Sequence, residues 1–202
     1  MGTPAFTRLD VDERRRRLLE TGARVFTERS YDEVSMSDLA REAGISKGLL
    51  YHYFPSKRDF FTATLAAAAT ELTAVTAPDP SLTPVEQLSG SLTAYLAWIE
   101  ANADGYRRLL ESAGSPDVRS LIDDVRERTV ERLLDGVAAR GRVRPALRVA
   151  LRAWLWGMDG AILDWLDRGQ VTRAELRDLL LGTFLGALAV AEQVDPAVEL
   201  RL

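Results

Sequence analysis

The stretch SMSDLAREAGISKGLLYHYFPSK, from Ser35 to Lys57, decides the fold. Ser35 precedes Asp38 by three residues, a spacing that predicts a capped start for a first short helix. Gly44 marks the end of that helix, because glycine adopts the left-handed conformation without steric cost. Ser46 then predicts the cap of a second short helix. Two short helices joined by a tight turn that contains glycine are typical of a helix-turn-helix.

The second short helix carries side chains that suit a DNA groove. Lys47 supplies a positive charge, Gly48 permits close approach of the backbone, and Tyr51 supplies a donor for phosphates or base edges. The residues predicted to contact DNA are Ser35, Ser37, Ser46, Lys47, Gly48, Tyr51, His52, Tyr53 and Lys57. The alternative is that the pair serves packing alone, since capped amphipathic helix pairs occur in many α-helical proteins.

The string SDLAREAGISKGLLYHYFPSKRDFF, which ends at Phe61, resembles the DNA-binding domain of TetR-family transcriptional regulators. The resemblance covers roughly Val11 to Phe61, and LYHYF followed by SK is its most specific part. It implies a helix-turn-helix domain over residues 1–56 and a helical regulatory and dimerisation domain over 57–202. Ser30 departs from such sequences, which usually place glycine there, and this leaves the geometry of the first helix end open.

The composition favours a globular protein with a relatively basic N-terminal part. The net charge is −4, but residues 1–60 hold 11 Lys and Arg against 10 Asp and Glu, a balance of +1, and the remainder holds 15 against 20. Cysteine is absent, which excludes disulfides, zinc–thiolate sites and thiol catalysis. Because no apolar run reaches the ~18 residues of a membrane span, we expect a protein of the cytoplasm with no membrane partner.

An enzyme is the first competing interpretation, and the sequence argues against it. The only histidine, His52, lies in the helix-turn-helix. No nucleophile with its base, no phosphate-binding glycine loop and no metal-ligand cluster can be assembled, so we expect no catalytic residue, metal or cofactor. A helical interaction module without DNA binding is the second alternative, which Tyr51, Tyr53 and Lys57 disfavour.

The rest of the chain reads as helices, which makes the predicted class all-α with about nine helices. Thr83 with Glu86, and Thr172 with Glu175, have the spacing of capping boxes. Residues 195–202 are expected to fray. No segment shows the alternation of polar and apolar residues that a strand requires.

The last two long helices are apolar on more than one side, which indicates that something beyond their own chain covers them. A twofold partner is the economical answer for a protein that reads both halves of a palindromic operator, and the family resemblance implies a homodimer formed by these helices. The alternative is a monomer in which the pair is thoroughly buried. The residues predicted at the interface are Trp156, Gly157, Gly160, Leu163, Leu180, Phe184 and Leu188.

Large side chains in the C-terminal region are candidates for a small-molecule pocket, although an aromatic stripe is more often core. The candidate lining residues are Tyr95, Trp98, Tyr106, Trp154, Met158, Asp159 and Trp165. The family resemblance implies an effector that binds there and controls a ligand-responsive repressor. Asp159 is expected either to orient the effector or to pair with an arginine.

Overall fold

A computed structural model describes residues 8–138 and 144–200 of the chain. Within these ranges the structure contains nine α-helices and no strand, so the predicted all-α class is confirmed. The helices are α1 Arg8–Glu28, α2 Met36–Glu42, α3 Lys47–Tyr53, α4 Lys57–Val75, α5 Pro84–Ala101, α6 Ala103–Glu111, α7 Pro116–Val137, α8 Pro145–Arg168 and α9 Arg173–Val194. A 3-10 turn at Ser112–Gly114 separates α6 from α7.

The contacts divide the chain into two compact units. Unit 1 comprises the residues up to Glu71 together with Asp104–Arg119, and unit 2 comprises Leu72–Ala103 and the residues from Ser120 onward. A segment that follows α5 in the sequence therefore packs with the N-terminal helices. The predicted boundary between a DNA-binding domain and a regulatory domain, placed between residues 56 and 57, stays a prediction.

An aromatic cluster fills the core of unit 1. Phe26 of α1 contacts Phe61 of α4 edge-on at 4.7 Å, and Phe54 contacts Phe60 in the same way at 4.7 Å. Helices α1 and α4 pack closely at Gly22, where an added Cβ would lie 2.7 Å from Thr64 Oγ1 and would also meet the Phe60 ring. These contacts hold the three N-terminal helices against the start of α4.

Helix α1 ends without a residue in the left-handed conformation. No residue other than glycine in the described ranges has a positive φ. Instead, the Ser30 N–H donates a hydrogen bond to Glu33 Oε2 at 3.0 Å. The helix end therefore tolerates Ser30, because Glu33 satisfies its N–H.

Helices α8 and α9 form an antiparallel hairpin at the centre of unit 2. Gly169 ends α8 in the left-handed conformation with φ 58°, and Thr172 with Glu175 forms the predicted capping box of α9. Between the helices, Trp154 packs edge-on against Phe184 at 4.9 Å. Helix α5 packs against α9 from another side.

The chain after α9 is held in place as far as Leu200, so the predicted fraying of residues 195–202 is wrong for its described part. Arg144 Nε donates to Asp195 Oδ2 at 2.7 Å, and Val198 is buried. An isolated β-bridge pairs Ala138 with Leu200. The partners lie at least 51 residues away in the sequence, so a local pattern carries no sign of them.

Candidate nucleic-acid interface

Helix α2 starts with the predicted capping box. Ser35 Oγ accepts a hydrogen bond from the Asp38 N–H at 3.1 Å, and the Ser35 N–H donates to Asp38 Oδ2 at 3.1 Å. Hydrogen bonds from Ser35, followed by one from Arg41, hold the pKa of Asp38 well below its usual range. Both polar groups of Ser35 are thus used within the chain, whereas Ser37 lies exposed on the first turn.

The turn between α2 and α3 has the predicted geometry. Gly44 has φ 65°, and the Ile45 N–H donates to the Ala40 carbonyl at 3.0 Å. An added Cβ at Gly44 would meet nothing within 4 Å, so the backbone conformation is what requires glycine here. The turn fixes the angle at which α3 leaves α2.

Helix α3 buries one side and exposes the other. Ser46 Oγ accepts from the Leu49 N–H at 3.2 Å, and Leu50 is fully buried. The opposite side exposes Lys47, Gly48, Tyr51 and His52, and Tyr53 is half-buried. This exposed side of Lys47, Gly48, Tyr51 and His52 is called the α3 face below.

Two features of the α3 face point toward a partner outside the chain. The Tyr51 ring is 42% exposed, and the Lys47 ammonium lies 5.8 Å from its centroid. An added Cβ at Gly48 would meet nothing within 4 Å. Because neither packing nor a positive φ requires glycine at this position, the space it leaves is available to a molecule that approaches α3.

Lys57 is more enclosed than the sequence indicated. Its Nζ donates to the Tyr31 carbonyl at 3.0 Å and lies 4.2 Å from the Tyr31 ring centroid. An ammonium group has three N–H donors, so this arrangement leaves capacity for a phosphate oxygen. The DNA contact of Lys57 stays a prediction, and the residue also ties the start of α4 to the loop after α1.

The seven candidate pocket residues do not share one cavity. Trp154, Met158 and Trp165 are buried in the core of unit 2, where Trp154 Nε1 donates to the Leu180 carbonyl at 3.0 Å. Asp159 pairs with Arg126 at 2.5 Å, the second of its two expected roles. The remaining three, Tyr95, Trp98 and Tyr106, are half-buried, and Tyr106 belongs to unit 1.

A separate cavity of about 200 Å³ lies between α5, α7 and α9 of unit 2. Its apolar lining includes Leu88, Leu133 and Phe184, and its polar lining includes Gln87 and Arg132. None of the seven candidate pocket residues lines it. Periodicity identified large apolar side chains but not the gaps between them.

The residues predicted at a dimer interface fall into two groups. Leu180, Phe184 and Leu188 are 4%, 2% and 1% exposed, because this side of α9 packs within unit 2. Little of their surface is left for a second copy, although Leu180 also lines the groove described next, and their interface role stays a prediction. Trp156 is 58% exposed, Gly157 and Gly160 are exposed, and Leu163 is half-buried.

An apolar groove of about 530 Å³ runs between α8 and α9 on the outer side of the hairpin. Small residues make up much of its lining, together with the exposed Leu179 and Val190. Its lining residues are Ala150, Ala153, Trp154, Gly157, Met158, Ala161, Leu176, Leu179, Leu180, Thr183, Gly186, Ala187 and Val190. Sequence reasoning missed Leu179 and Val190, although both follow the helical period of α9.

Comparison with known families agrees with this architecture. The family model "Bacterial regulatory proteins, tetR family" matches residues 18–64, which include α2, α3 and the turn between them. The model "Tetracyclin repressor-like, C-terminal domain" matches residues 84–187, more than half of the chain.

The chain belongs to the TetR family. It is thus a member of a family of DNA-binding transcriptional regulators with a helix-turn-helix, as the resemblance implied. The segment Asp104–Arg119 of unit 1 lies inside the match to the C-terminal model, so part of that region packs with the DNA-binding helices.

Curated relatives are regulators as well. The HTH-type transcriptional regulator HbdR of Aromatoleum sp. (strain CIB) is 33% identical over 67% of this chain and 62% of the relative. The HTH-type transcriptional activator FasR of Mycolicibacterium smegmatis is 33% identical over 52% of this chain and 49% of the relative. The chain therefore spans only half to two thirds of the length of these two relatives.

A solved structure shares nearly the whole fold. The TetR-family transcriptional regulator from Streptomyces coelicolor has 28% sequence identity and a TM-score of 0.72, over 97% of this chain and 86% of that one. Among the described helices, none combines the length and the apolar composition that a membrane crossing requires.

Proposed function

We propose that this protein is a ligand-responsive repressor that binds a palindromic operator as a homodimer through the α3 face. The observation that carries the proposal is that the short helix α3 exposes Lys47, Tyr51 and His52. The N-terminal caps of α2 and α3 and the buried side of α3 hold it in place. In a helix-turn-helix the second helix lies in the major groove with such side chains against base edges. Phosphate contacts from the helix ends then fix its position.

The groove between α8 and α9 supports the homodimer. Leu179 and Val190 expose apolar surface along it, and Val194, one turn beyond Val190 on α9, is 71% exposed. Together they form a larger apolar surface than isolated exposed side chains produce. Gly157 and Gly186 permit close approach of helix backbones. We commit to a second copy of this chain as the occupant, since the family implies it and a palindromic operator requires a twofold assembly.

The small-molecule effector is the third part of the proposal. The cavity between α5, α7 and α9 is smaller than the roughly 300 Å³ at the low end of ligand sites. An effector that enters it is therefore compact, or it enlarges the cavity. The dimer would also have a conformation in which the separation of the two α3 helices does not fit the operator. A ligand that binds only this conformation would release the operator by population shift.

The same proposal includes three further points: the protein represses transcription, it has no catalytic activity, and it acts in the cytoplasm. The repressor KstR2 of Mycolicibacterium smegmatis is 31% identical over 68% of this chain and 71% of the relative, whereas FasR is an activator. The regulatory names of all these relatives support a binding protein rather than an enzyme. A target on chromosomal DNA supports the cytoplasm.

Selection of genomic fragments by the purified full-length chain tests the proposal. We expect enriched fragments to share an inverted repeat whose half-sites lie about 34–36 Å apart, one helical turn of DNA. Sedimentation of the complex should give two chains per repeat, and transcription from the adjacent promoter should fall when the protein is added. A chain that stays monomeric and enriches no fragment even at low salt would refute the proposal.

A further inference from the structure

Four consecutive arginines, Arg14 to Arg17, lie on α1, and their surroundings differ. Arg16 Nε donates to Glu13 Oε2 at 3.0 Å, and Arg17 Nε donates to Glu13 Oε1 at 2.8 Å. Arg14 also has an interaction partner. Arg15 is exposed, and among the described carboxylates none lies within ion-pair distance of it.

Arg15 instead lies against an aromatic ring at the end of α3. Its guanidinium carbon is 5.1 Å from the centroid of Phe54. Phe54 is the C-cap of α3, and its N–H donates to the Leu50 carbonyl at 2.9 Å. The Phe54 ring is 2% exposed and is held edge-on by Phe60 at 4.7 Å. A cation from α1 is thus fixed beside the C-terminal end of α3, the helix predicted to enter the major groove of DNA.

We propose that Arg15 binds a backbone phosphate of the operator beside the C-terminal end of α3. A guanidinium stacks on an aromatic face and still presents N–H groups at its edge, and it matches phosphate oxygens in a bidentate manner. The inference rests on the proposed operator binding. It adds a contact from α1 that lies outside the nine residues predicted to touch DNA.

The placement of Arg15 complements that of Lys47. Lys47 is the first residue of α3 and Phe54 follows its last, so the two cations bracket a helix of seven residues. At 1.5 Å per residue the helix is about 10 Å long. This length corresponds to the rise of roughly three base pairs, 3.4 Å each, along the DNA axis. Cations at both ends would therefore fix the register of α3 between phosphates.

A structural role is the competing explanation for Arg15. A cation near a helix C-terminus interacts favourably with the helix dipole, and the arginine stem also covers the Phe54 ring. Such a role predicts a loss of stability without any change in the number of phosphates neutralised. The salt dependence of operator binding separates the two explanations, because its slope reports that number.

The test measures fluorescence anisotropy of an operator fragment, obtained from the genomic selection, at several salt concentrations with the full-length chain. For Arg15→Ala we expect the slope of log affinity against log salt to fall by about 0.9 per subunit, or roughly 1.8 per dimer. Arg15→Lys should restore most of the slope. Mismatched fragments should weaken in parallel, since a phosphate contact carries no base preference.

Arg17→Ala is the matched control, because it removes the same charge from the same turn while Arg16 continues to hold Glu13. We expect its slope to equal that of the wild type. Thermal unfolding of each variant reports stability, and Arg15→Gln retains the stem over Phe54 if the alanine variant folds poorly. An unchanged slope in Arg15→Gln would overturn the inference while leaving operator binding intact. A wild type that binds no fragment would refute the proposed function itself.

Discussion

The Tyr31 hydroxyl donates a hydrogen bond to Asp117 Oδ2 at 3.2 Å, across 86 positions of sequence. The other oxygen of Asp117 accepts from Arg58 at 3.2 Å, and the Tyr31 N–H donates to Ser112 Oγ at 3.3 Å. The loop after α1, the start of α4 and the start of α7 therefore meet at one buried tyrosine. Because Lys57 also contacts Tyr31, this site supports a predicted DNA-contacting residue from within unit 1.

Tyr31→Phe should destabilise the protein. It removes the hydroxyl from a buried position and leaves the aromatic packing intact, so we expect a loss of about 0.5–1.5 kcal/mol in the free energy of unfolding. Urea denaturation followed by circular dichroism measures it. Tyr51→Phe is the control, since Tyr51 is exposed, and it should leave stability unchanged. Equal stability of Tyr31→Phe and wild type would contradict the role assigned to this hydrogen bond.

The same tyrosine should make stability depend on pH in the alkaline range. Burial, followed by the charge of Asp117, raises the pKa of Tyr31 to about 12, whereas an unfolded tyrosine titrates near pH 10. As the pH rises, Tyr31 therefore loses its hydroxyl proton in the unfolded chain before it does so in the folded one. Its contribution to the free energy of unfolding is complete below pH 10 and is lost as the pH rises towards 12. Unfolding free energies of wild type and Tyr31→Phe should converge over this interval. A difference that stays constant from pH 9 to 12 would contradict the prediction.

Gly48→Ala should separate folding from binding. Alanine is favoured over glycine in a helix interior by about 1 kcal/mol, and an added Cβ at Gly48 meets nothing in the chain. We expect stability to stay equal or to rise, and operator affinity to fall because the methyl group lies on the α3 face. Thermal unfolding and fluorescence anisotropy measure the two quantities.

Gly22→Ala is the opposite case and the matched control. Its Cβ would meet Thr64 and Phe60 in the core, so stability should fall by about 1–3 kcal/mol through overpacking. If Gly48→Ala bound the operator as tightly as the wild type, no close approach of DNA to this position would be needed, and that part of the interface would be wrong.

Gly157→Leu should disrupt the dimer without unfolding the chain. Gly157 lies in the groove between α8 and α9, and an added Cβ meets nothing within 4 Å. A leucine there would occupy the space that we propose for the second copy. Sedimentation velocity should show monomers and circular dichroism a helical fold. Gly90→Leu on α5, equally open around its Cβ, is the control that should stay dimeric. Dimers of unchanged affinity in Gly157→Leu would exclude this groove as the interface.

Local patterns predicted the helices well, because their signals lie within one turn. Ser35 with Asp38, Thr83 with Glu86, and Thr172 with Glu175 are capping boxes three residues apart, and all three form. Gly44 supplied the turn in the same way. The position of the candidate site was therefore predictable from the sequence.

Contacts between distant segments were not predictable in this way. Periodicity groups Leu180, Phe184 and Leu188 on one side of α9 but does not say which apolar side faces the chain itself, and the prediction chose the buried side. Asp195 and its partner Arg144 are 51 positions apart, so no local sequence pattern indicated that the last residues would be ordered. The tertiary packing decides these features.

Protection of Lys47 from acetylation tests the central claim most directly. The chain contains two lysines, Lys47 on the α3 face and Lys57 beside Tyr31, so peptide mass spectrometry reports on each separately. With saturating operator we predict that acetylation of Lys47 slows strongly, while a scrambled fragment at the same salt protects it far less. Acetylation of Lys47 at the same rate with and without bound operator would contradict the account, because α3 would then not lie in the major groove of the DNA.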